Sequence, residues 1–308
     1  MGGIEGITLA EETNPEPPRP PSPKPEGKEF TLENVASKIK LGKIKKVAVL
    51  TGAGISTSAG IPDFRSPDSG LYSQMKSFHL PYPEAVFSMD YFLTNPEVFY
   101  TVAKGMMGKY VPTKAHYLIR LLQDKGILLK NYTQNVDNLE ADAGVKPTNV
   151  MQAHGSVATA RCAMCKTEVD QKLMMEHLEK GIVLRCAKCN GPCKPDVVLF
   201  GEALPLTFAS CLQEVTTCDL AIVMGTSLKV QPFAALVELV KSNVPIMVFD
   251  VKVPAAIEKD HGLIPMIGQI EEMTEKFVKL IGMEAEYSKL MLERENIKKK
   301  YAELVKKA

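Results

Sequence analysis

The sequence predicts an α/β protein built on a Rossmann-like, doubly wound parallel sheet that carries a smaller inserted domain. Three observations support this fold class. Short apolar runs recur along the chain, each run ends in a cluster of small polar residues, and segments with helical spacing lie between the runs. With 308 residues, of which 45% are hydrophobic, the chain has enough apolar material for one large core and an additional smaller one.

The apolar runs predict buried parallel strands, because strands that helices cover on both faces are apolar on both faces. In chain order the runs and their polar ends are 47–50 before Thr51, 127–129 leading to 132–137, 150–151 before 153–156, 220–224 before 225–227, and 246–249 before Asp250. Open α/β sheets bind their ligands at the carboxyl ends of the strands. We therefore expect the polar ends to form one site.

A glycine-rich stretch, residues 51–65, begins where the first predicted strand ends. Its small residues Gly52, Ala53 and Gly54 allow a tight turn and a close approach of the backbone to a ligand. Residues 56–59 would then begin a helix whose free amide groups face a phosphate. This part of the chain therefore predicts a strand, a glycine turn and a helix N-terminus around a pyrophosphate.

The spacing of this stretch departs from the usual Gly-x-Gly-x-x-Gly pattern, because the third glycine, Gly60, comes late. An ordinary turn is therefore the alternative interpretation. The end of the stretch favours a functional loop, since Asp63, Phe64 and Arg65 place a carboxylate, an aromatic ring and a guanidinium beside the same turn. We interpret residues 60–62 as the start of a loop that covers a cofactor.

The remaining segments differ from the sheet in composition. The predicted domains are a disordered proline-rich tail at 1–27, a discontinuous Rossmann-like domain at 28–66, 113–156 and 195–282, a helical module at 67–112, a zinc-binding module at 157–194 and a charged helix at 283–308. An SH3-type ligand is the alternative for the tail. The terminal helix is interpreted as solvated and amphipathic, with self-association or partner binding as the alternative.

Two Cys-x-x-Cys pairs, Cys162 with Cys165 and Cys186 with Cys189, are typical of one structural zinc ion held by four thiolates. An iron–sulfur cluster and a redox dithiol are the alternatives. Four protein ligands leave no open position on the metal, so we expect it to hold the fold. Because the region has few large apolar residues, we also expect the metal to replace a hydrophobic core there.

The seven cysteines occur in a chain whose first residues do not form a secretory signal, which favours reduced thiols over a disulfide framework. Cys193 is interpreted as a spare thiol, with a competing metal ligand as the alternative. Cys211 and Cys218 are interpreted as small buried residues.

The charge balance gives no indication of an anionic partner, since the net charge is +1 and 24% of the residues are charged. No apolar run approaches the roughly 20 residues that a membrane-spanning helix needs. We therefore predict no direct binding to nucleic acid or membrane. The predicted location is the cytoplasm, with the nucleus as a second option.

Among the five histidines, His154 is the best candidate for a general base, because it lies between a buried strand and Gly155. Taken alone, a histidine in this place is better explained by a structural role. The polar residues at the end of the preceding strand, Gln134, Asn135 and Asp137, reverse that judgement. We therefore expect His154 to belong to the site at the strand ends.

In combination these motifs resemble the sirtuin family, in the family's order and over about residues 35–252. The matching motifs are GAGIS at 52–56, GIPDFR at 60–65, TQNVD at 133–137, HG at 154–155, the two cysteine pairs, KPDVVLFGE at 194–202 and GTS at 225–227. The stretch HLPYPEA at 79–85 resembles the branch that contains the cytosolic and nuclear eukaryotic deacetylases. The resemblance implies NAD-dependent removal of acyl groups from protein lysines, with NAD and one structural zinc ion as cofactors.

The resemblance also implies roles for individual residues. The residues implied in NAD binding are Gly52, Ala53, Gly54, Ser56, Thr57, Asp63, Phe64, Arg65, Gln134, Asn135, Val136, Asp137, Gly225, Thr226, Ser227, Asp250, Val251 and Lys252. Within this set Phe64 would be the gate over the nicotinamide ribose, and Asp137 would bind the carboxamide of nicotinamide. The implied substrate-binding residues, which would pair with an extended peptide by strand addition, are Val198, Leu199, Phe200 and Gly201.

The implied catalytic residues are His154 and Asn135. In the implied reaction the acyl oxygen attacks the nicotinamide ribose carbon as nicotinamide leaves, which needs an oriented cofactor and a dry apolar tunnel. His154 then acts as general base on a ribose hydroxyl, and the products are free lysine and O-acyl-ADP-ribose. The base must be neutral, and a histidine pKa of about 6.5 allows this at neutral pH.

The chain departs from the family pattern at the adenosine end of the site. Asp250, Val251 and Lys252 stand where the family usually has Asn, then Lys or Leu, then Glu, and the family's late adenine-contact motif is missing. Residues 83–92 hold no counterpart of the Tyr and Arg that read acidic acyl groups, which favours a neutral acyl group. The alternative functions are a protein mono-ADP-ribosyltransferase and a non-catalytic, zinc-containing NAD sensor or scaffold. The physiological substrate, with histones and tubulin as family-level expectations only, and the oligomeric state stay open.

Overall fold

The computed structural model describes residues 30–64, 66, 70–71, 75, 78–106, 108–257 and 262–307. The predicted tail at 1–27 and Arg65 lie outside these residues. None of the helices in these ranges combines the length and the apolar character that crossing a lipid bilayer requires.

Within the described ranges nine strands form two sheets, a six-stranded parallel sheet with the order β3-β2-β1-β7-β8-β9 and a three-stranded antiparallel sheet with the order β5-β4-β6. The strands are β1 Val47–Thr51, β2 Leu128–Thr133, β3 Val150–Gln152, β4 Gly155–Cys162, β5 Glu168–Val169, β6 Cys193–Val197, β7 Leu220–Met224, β8 Ile246–Asp250 and β9 Leu263–Ile267. Five strands of the parallel sheet match the predicted apolar runs. The sixth, β9, was not predicted from the sequence, because Pro265 interrupts it and a proline is compatible only with an edge position such as this one.

Ten α-helices lie among the described residues and cover both faces of the large sheet or build the smaller domain. They are α1 Leu32–Lys40, α2 Met89–Thr94, α3 Pro96–Met106, α4 Lys114–Asp124, α5 Leu139–Asp142, α6 Gln171–Lys180, α7 Thr207–Val215, α8 Ala235–Glu238, α9 Ile270–Leu280 and α10 Glu284–Lys307. Strand β1 shows the layering directly. Val47 and Val49 belong to the core under α1, α4, α9 and α10, whereas Ala48 and Leu50 belong to the core under α7 and α8. The doubly wound α/β fold predicted from the sequence is confirmed.

The C-terminal helix α10 is part of the large core over its first half. Tyr287 and Leu290 are buried in the cluster formed with α4 and α9. The Tyr287 hydroxyl donates to the Lys114 carbonyl at 2.9 Å, and the Arg294 Nε donates to the Pro112 carbonyl at 2.9 Å. The prediction of a solvated helix is therefore wrong for this half, because the apolar residues of α10 pack at the start of α4.

The smaller domain joins helices α2, α3 and α6 to the three-stranded sheet through one hydrophobic cluster. Phe92, Phe99 and Tyr100 pack there with Met174 and Leu178 from α6. The expectation that zinc replaces a core in this region is therefore wrong, because the cysteine-containing module shares a core with the helical one. The composition of the cysteine-containing segment alone does not indicate this core, because its buried aromatic residues come from α2 and α3.

The three-stranded sheet spans residues 155–197. The predicted limits of the zinc-binding module, 157 and 194, fall inside its strands β4 and β6, and they stay a prediction. Its first strand begins one residue after His154, and its last ends one residue before Val198.

Candidate cofactor cleft and metal centre

Two glycine loops meet at the carboxyl ends of the neighbouring strands β1 and β7. The Gly54 amide donates to the Gly225 carbonyl at 2.9 Å, and a Cβ atom on Gly54 would lie 2.6 Å from the Gly225 Cα. A Cβ on Gly52 would lie 2.8 Å from the Thr226 Cβ. These glycines are therefore required for loop-to-loop packing, and the predicted close approach of a ligand to the same turn stays a prediction.

The turn after β1 contains two short 3-10 helices, Ala53–Ile55 and Thr57–Ala59, and these replace the α-helix N-terminus that the sequence predicts. The two turns are separated at Ser56, and Gly60 ends the second one in a left-handed conformation with φ of 98°. The prediction of a helix opening at 56–59 is therefore wrong. Gly60 ends the second turn. The sequence pattern alone does not distinguish such a glycine from the third glycine of a dinucleotide-binding motif.

The contact between the two loops gives a stability prediction. Gly54→Ala is expected to lower the free energy of unfolding by about 1–3 kcal/mol, because backbone atoms of Gly225 block the added methyl group. Gly105→Ala is the matched control, since Gly105 lies in the exposed part of α3 with no atom near the added Cβ, and it should stabilise by about 0.5–1 kcal/mol. Urea unfolding followed by circular dichroism measures both. A Gly54→Ala protein as stable as the wild type would contradict the packing argument.

Gln134 links three strand ends. Its side-chain Oε1 accepts a hydrogen bond from the Thr226 hydroxyl at 2.6 Å, and its backbone amide donates to the Thr51 carbonyl at 3.0 Å. Its own carbonyl lies 3.1 Å from the Nδ1 atom of His154. A carbonyl can only accept, so His154 carries its proton on Nδ1 and presents Nε2 as a free lone pair. Burial lowers the pKa of His154, which favours this neutral form.

A chain of hydrogen bonds connects the loop after β2 to the glycine turn. The Asn135 Nδ2 donates to the Ser56 Oγ at 3.2 Å, and the Ser56 hydroxyl donates to the Asp137 Oδ2 at 2.7 Å. Asn135 also donates to the Gly52 carbonyl at 3.2 Å. Ser56 is 1% exposed, so these bonds form in a buried environment where they are strongly orienting. Val136 comes next as a half-buried residue.

The described residues after Gly60 contact the smaller domain. Asp63 accepts from the Ser66 amide at 2.8 Å and from the Ser66 hydroxyl at 2.5 Å, and these bonds form a turn. The Phe64 ring packs edge-to-face on Phe87, with 5.7 Å between centroids, at the margin of the smaller domain's core. The structure does not describe Arg65, so its expected position stays a prediction.

The far end of the cleft is formed by Ser227 after β7 and Asp250 at the end of β8. Asp250 accepts from the amide of Val251 at 2.7 Å. Burial raises the pKa of Asp250, and the nearby charge of Asp63 raises it further. Val251 and Lys252 are exposed beside it. This end therefore holds a half-buried carboxylate where the family pattern has an amide.

The segment 198–201 is tied to His154 and to the smaller domain. The Val198 amide donates to the His154 carbonyl at 2.8 Å. The Phe200 amide donates to the Phe87 carbonyl at 2.8 Å, and the Phe200 carbonyl accepts from the Met89 amide at 2.9 Å. One edge of this segment is therefore occupied by the protein, and a strand added along the opposite edge would have to displace the bonds that the Leu199 amide and carbonyl make with Glu202. The Phe200 side chain is 45% exposed.

Sequence interpretation did not include the ion pair that supports this segment. Lys194 is 4% exposed, and its Nζ lies 2.8 Å from the Glu202 Oε2. The same carboxylate oxygen accepts from the Leu199 amide at 3.0 Å. Both charged residues lie in the motif at 194–202, but the motif itself does not show that they meet.

The four cysteines of the two pairs converge as predicted. Their Sγ atoms all lie within 4.8 Å of one another, with 3.4 Å between Cys162 and Cys189 and 3.6 Å between Cys165 and Cys186. Four sulfurs bound to one zinc ion at about 2.3 Å would be about 3.8 Å apart, so the cluster fits a tetrahedral tetrathiolate site. Cys193 is buried opposite Cys162 in the β4–β6 pair but is not one of the four.

Each cysteine pair is shaped by a residue in a left-handed conformation, Lys166 after Cys165 and Asn190 after Cys189, both with φ of 59°. The Cys165 amide donates to the Cys162 sulfur at 3.4 Å, which fixes the position of that sulfur within the turn. The sequence offered a signal only for Asn190, because asparagine tolerates this conformation better than lysine does.

The protein as described is a doubly wound α/β protein with a dinucleotide-type cleft at the strand ends and a tetrathiolate metal centre in an inserted domain. The cleft fits a dinucleotide because its polar groups converge at the carboxyl edge of the sheet, where the glycines allow the two loops to pack closely against each other. The Sir2 family profile matches residues 52–232.

Curated relatives agree with this match. The chain is 41% identical over 277 residues to NAD-dependent deacetylase sir2A of Dictyostelium discoideum, covering 86% of this chain and 54% of that protein. It is 39% identical to mouse NAD-dependent protein deacetylase sirtuin-3, with coverages of 86% and 80%, and 43% identical to NAD-dependent protein deacetylase hst2 of Schizosaccharomyces pombe, with coverages of 84% and 79%. The chain thus spans about half the length of the Dictyostelium relative. It belongs to the Sir2 family, the sirtuins.

Proposed function

We propose that this protein is an NAD-dependent protein lysine deacetylase. The observation that carries the proposal is the meeting of a neutral His154 with the Asn135–Ser56–Asp137 hydrogen-bond chain at one edge of the sheet. The names of the curated relatives support the same activity. NAD supplies the group that accepts the acyl chain, and zinc holds the smaller domain.

The residues of the cleft divide the work along its length. The glycine turn with Ser56 and Thr57 would hold the pyrophosphate and nearby ribose, and Gly225, Thr226 and Ser227 the adenosine half. Asp137 would orient the nicotinamide carboxamide through charge-assisted hydrogen bonds. Phe64 would exclude water from the reacting end. The free lone pair on the His154 Nε2 would remove a proton from a ribose hydroxyl.

The acylated substrate is proposed to enter as an extended peptide. Its backbone would pair with the edge of 198–201 that faces away from residues 87–89, by strand addition. The exposed Phe200 ring and the buried Leu199 give this segment an apolar character. We propose a neutral acyl group, acetyl or longer, because no counterpart of the residues that read acidic acyl groups stands at 83–92.

The experiment that tests this function uses an acetyl-lysine peptide with NAD, analysed by mass spectrometry. Loss of the acetyl mass with release of nicotinamide, both dependent on the acyl group, is expected. Gain of ADP-ribose on the peptide would indicate a transferase instead. Binding of NAD without any nicotinamide release would indicate a sensor. A panel of acyl chains in the same assay defines the preferred length.

The burial of His154 gives a pH prediction. Neutral His154 is the active form, and burial lowers its pKa, so kcat/KM should fall on acidification only below about pH 6.5. The measurement is kcat/KM for the acetyl peptide between about pH 5 and pH 8 with NAD saturating. An acid limb centred above 6.5 would show that His154 is stabilised in its charged form, contrary to the structure.

The proposal also covers the cellular location of the protein and its partners. We propose the cytoplasm, with the nucleus as a second option, and acylated proteins as the partners. Fluorescent tagging of the full chain at either end tests the location, and confinement to an organelle would contradict it.

A further inference from the structure

A second group of titratable side chains lies away from the cysteines. His116 on α4, Asp137 in the loop after β2 and Glu140 on α5 each place one side-chain nitrogen or oxygen within 4.8 Å of the other two. His116 is 0% exposed and Glu140 is 1% exposed. Neither residue has a role in the site described above. Burying titratable groups is costly unless they compensate one another, so their protonation states follow from the surroundings.

The backbone fixes which nitrogen of His116 carries the proton. The Thr113 amide donates to the Nδ1 atom at 3.1 Å, as part of a capping box at the start of α4. A backbone amide can only donate, so Nδ1 is an acceptor and the proton is on Nε2, and the Thr113 hydroxyl, whose oxygen lies 2.7 Å from Nδ1, then also donates to that nitrogen. Burial lowers the pKa of His116 to about 4, so the ring is neutral at physiological pH. Its Nε2 has no hydrogen-bond partner within 3.5 Å among the described residues.

The two carboxylates differ in how their charge is compensated. Asp137 accepts from the Ser56 hydroxyl at 2.7 Å and from the Leu139 amide at 3.0 Å, so each of its carboxyl oxygens has a hydrogen-bond donor. Both carboxyl oxygens of Glu140 lack a hydrogen-bond partner within 3.5 Å in the described part of the chain, and the Thr133 hydroxyl and the Glu140 backbone amide lower its pKa only in part. A buried carboxylate this close to a half-buried one does not readily ionise alongside it. Burial and the charge of Asp137 accordingly raise the pKa of Glu140 to about 7.

We propose that protonated Glu140 and the His116 Nε2–H are positioning groups that hold Asp137 as a fixed carboxylate against Ser56, and that loss of the Glu140 proton weakens nicotinamide binding at this end of the cleft. Separations of up to 4.8 Å are spanned by a bridging water or a small rotation of Glu140. Once ionised, Glu140 repels Asp137 and competes with it for the Nε2 proton.

Other charges do not account for this behaviour. Among the described residues, Asp137 is the charged group that acts on both His116 and Glu140. Asp142 on the same helix also feels Asp137, which raises its pKa, but it lies outside the cluster. Arg120, one turn further along α4 from His116, is paired with Asp124 at 2.8 Å. A metal ion is disfavoured because the His116 lone pair is used by the Thr113 amide.

The first test measures nicotinamide inhibition of deacetylation, so it rests on the proposed function. Nicotinamide is uncharged near neutral pH and reports on the Asp137 end of the cleft. From about pH 6 to about pH 8.5 its inhibition constant should rise about five-fold in the wild type, the lower end of typical coupling between sites. Glu140→Gln keeps an uncharged donor of the same size and should make the constant independent of pH. The matched control Asp142→Asn should retain the wild-type profile.

The second test needs no activity. A carboxyl group whose pKa is raised by folding costs stability once the pH exceeds its unfolded value, and here the cost grows from about pH 4.5 to about pH 7. The melting temperature of Glu140→Gln minus that of the wild type should therefore increase from about pH 5 to about pH 8, in protein without NAD or peptide.

The outcomes separate this inference from the proposed function. If no deacetylation is found but the melting temperatures change as expected, the proposed function is wrong, and the conclusion that Glu140 is protonated still holds. If deacetylation is present but the nicotinamide inhibition constant depends on pH in the same way in the wild type and in Glu140→Gln, the positioning role is overturned. If the wild type takes up a second zinc ion per chain and Glu140→Gln does not, the cluster is a metal site and the proposed role of the Glu140 proton is overturned.

Discussion

Replacement of His154 by alanine is expected to lower the turnover of an acetyl-lysine peptide by about 10²–10⁴-fold, the typical contribution of a positioned general base. The side chain lies at the point where Gln134 and the smaller domain meet, and its proton sits on Nδ1 opposite the Gln134 carbonyl. No other described imidazole makes a bond to the Gln134 carbonyl, and the His116 ring lies beside Asp137 and Glu140 instead. Steady-state kinetics with peptide and NAD measure the loss.

The same variant should bind NAD with nearly wild-type affinity, because the groups expected to hold the cofactor belong to the other loops. Isothermal titration with NAD alone provides that control. Glutamine at position 154 is the matched second variant, since it keeps a donor toward Gln134 and lacks the basic lone pair. Turnover close to wild type in either variant would remove His154 from its proposed role.

Replacement of Cys165 by alanine should release the metal and unfold much of the smaller domain. Structural zinc contributes an apparent 10–16 kcal/mol, roughly, to small zinc-dependent peptides, which is comparable to the stability of a whole domain. The effect should be smaller here, because the shared core of Phe92, Tyr100 and Met174 stays in place. Deacetylation should nevertheless be lost, because β4 and β6 hold His154 and Val198 at their ends.

Metal content per chain, limited proteolysis and a two-step thermal melt measure this prediction. Cys193→Ala is the matched control, because this thiol is buried beside Cys162 but outside the four-sulfur cluster. It should keep one zinc ion per chain. A Cys165→Ala protein with full metal content would show that Cys193 acts as a substitute ligand.

The large sheet was predictable because its strands are apolar on both faces, a property that local sequence records. Strand β9 was missed because Pro265 breaks the pattern and only its place at the sheet edge makes the proline acceptable. The first half of α10 was predicted as solvated, since the partner that buries Tyr287 is α4, far away in the sequence.

The site divides in the same way. Motif spacing was sufficient for the cysteine cluster, because two short turns bring four sulfurs together whatever the rest of the chain does. It was insufficient for His116 and Glu140, which come from different elements and meet Asp137 only after α4 packs beside the loop after β2. The packing role of Gly52 and Gly54 was likewise not predictable, because their close neighbours Gly225 and Thr226 belong to a distant strand end.

By itself the sequence determined the fold class, the family, the tetrathiolate centre and the identity of the groups at the strand ends, since these depend on local periodicity and short spacings. The tertiary structure decided which proton each buried group carries, which glycines are required for packing and which residues form the three-stranded sheet. Those properties depend on burial and on contacts between distant segments. A one-dimensional pattern carries neither the local dielectric environment nor the distances that set them.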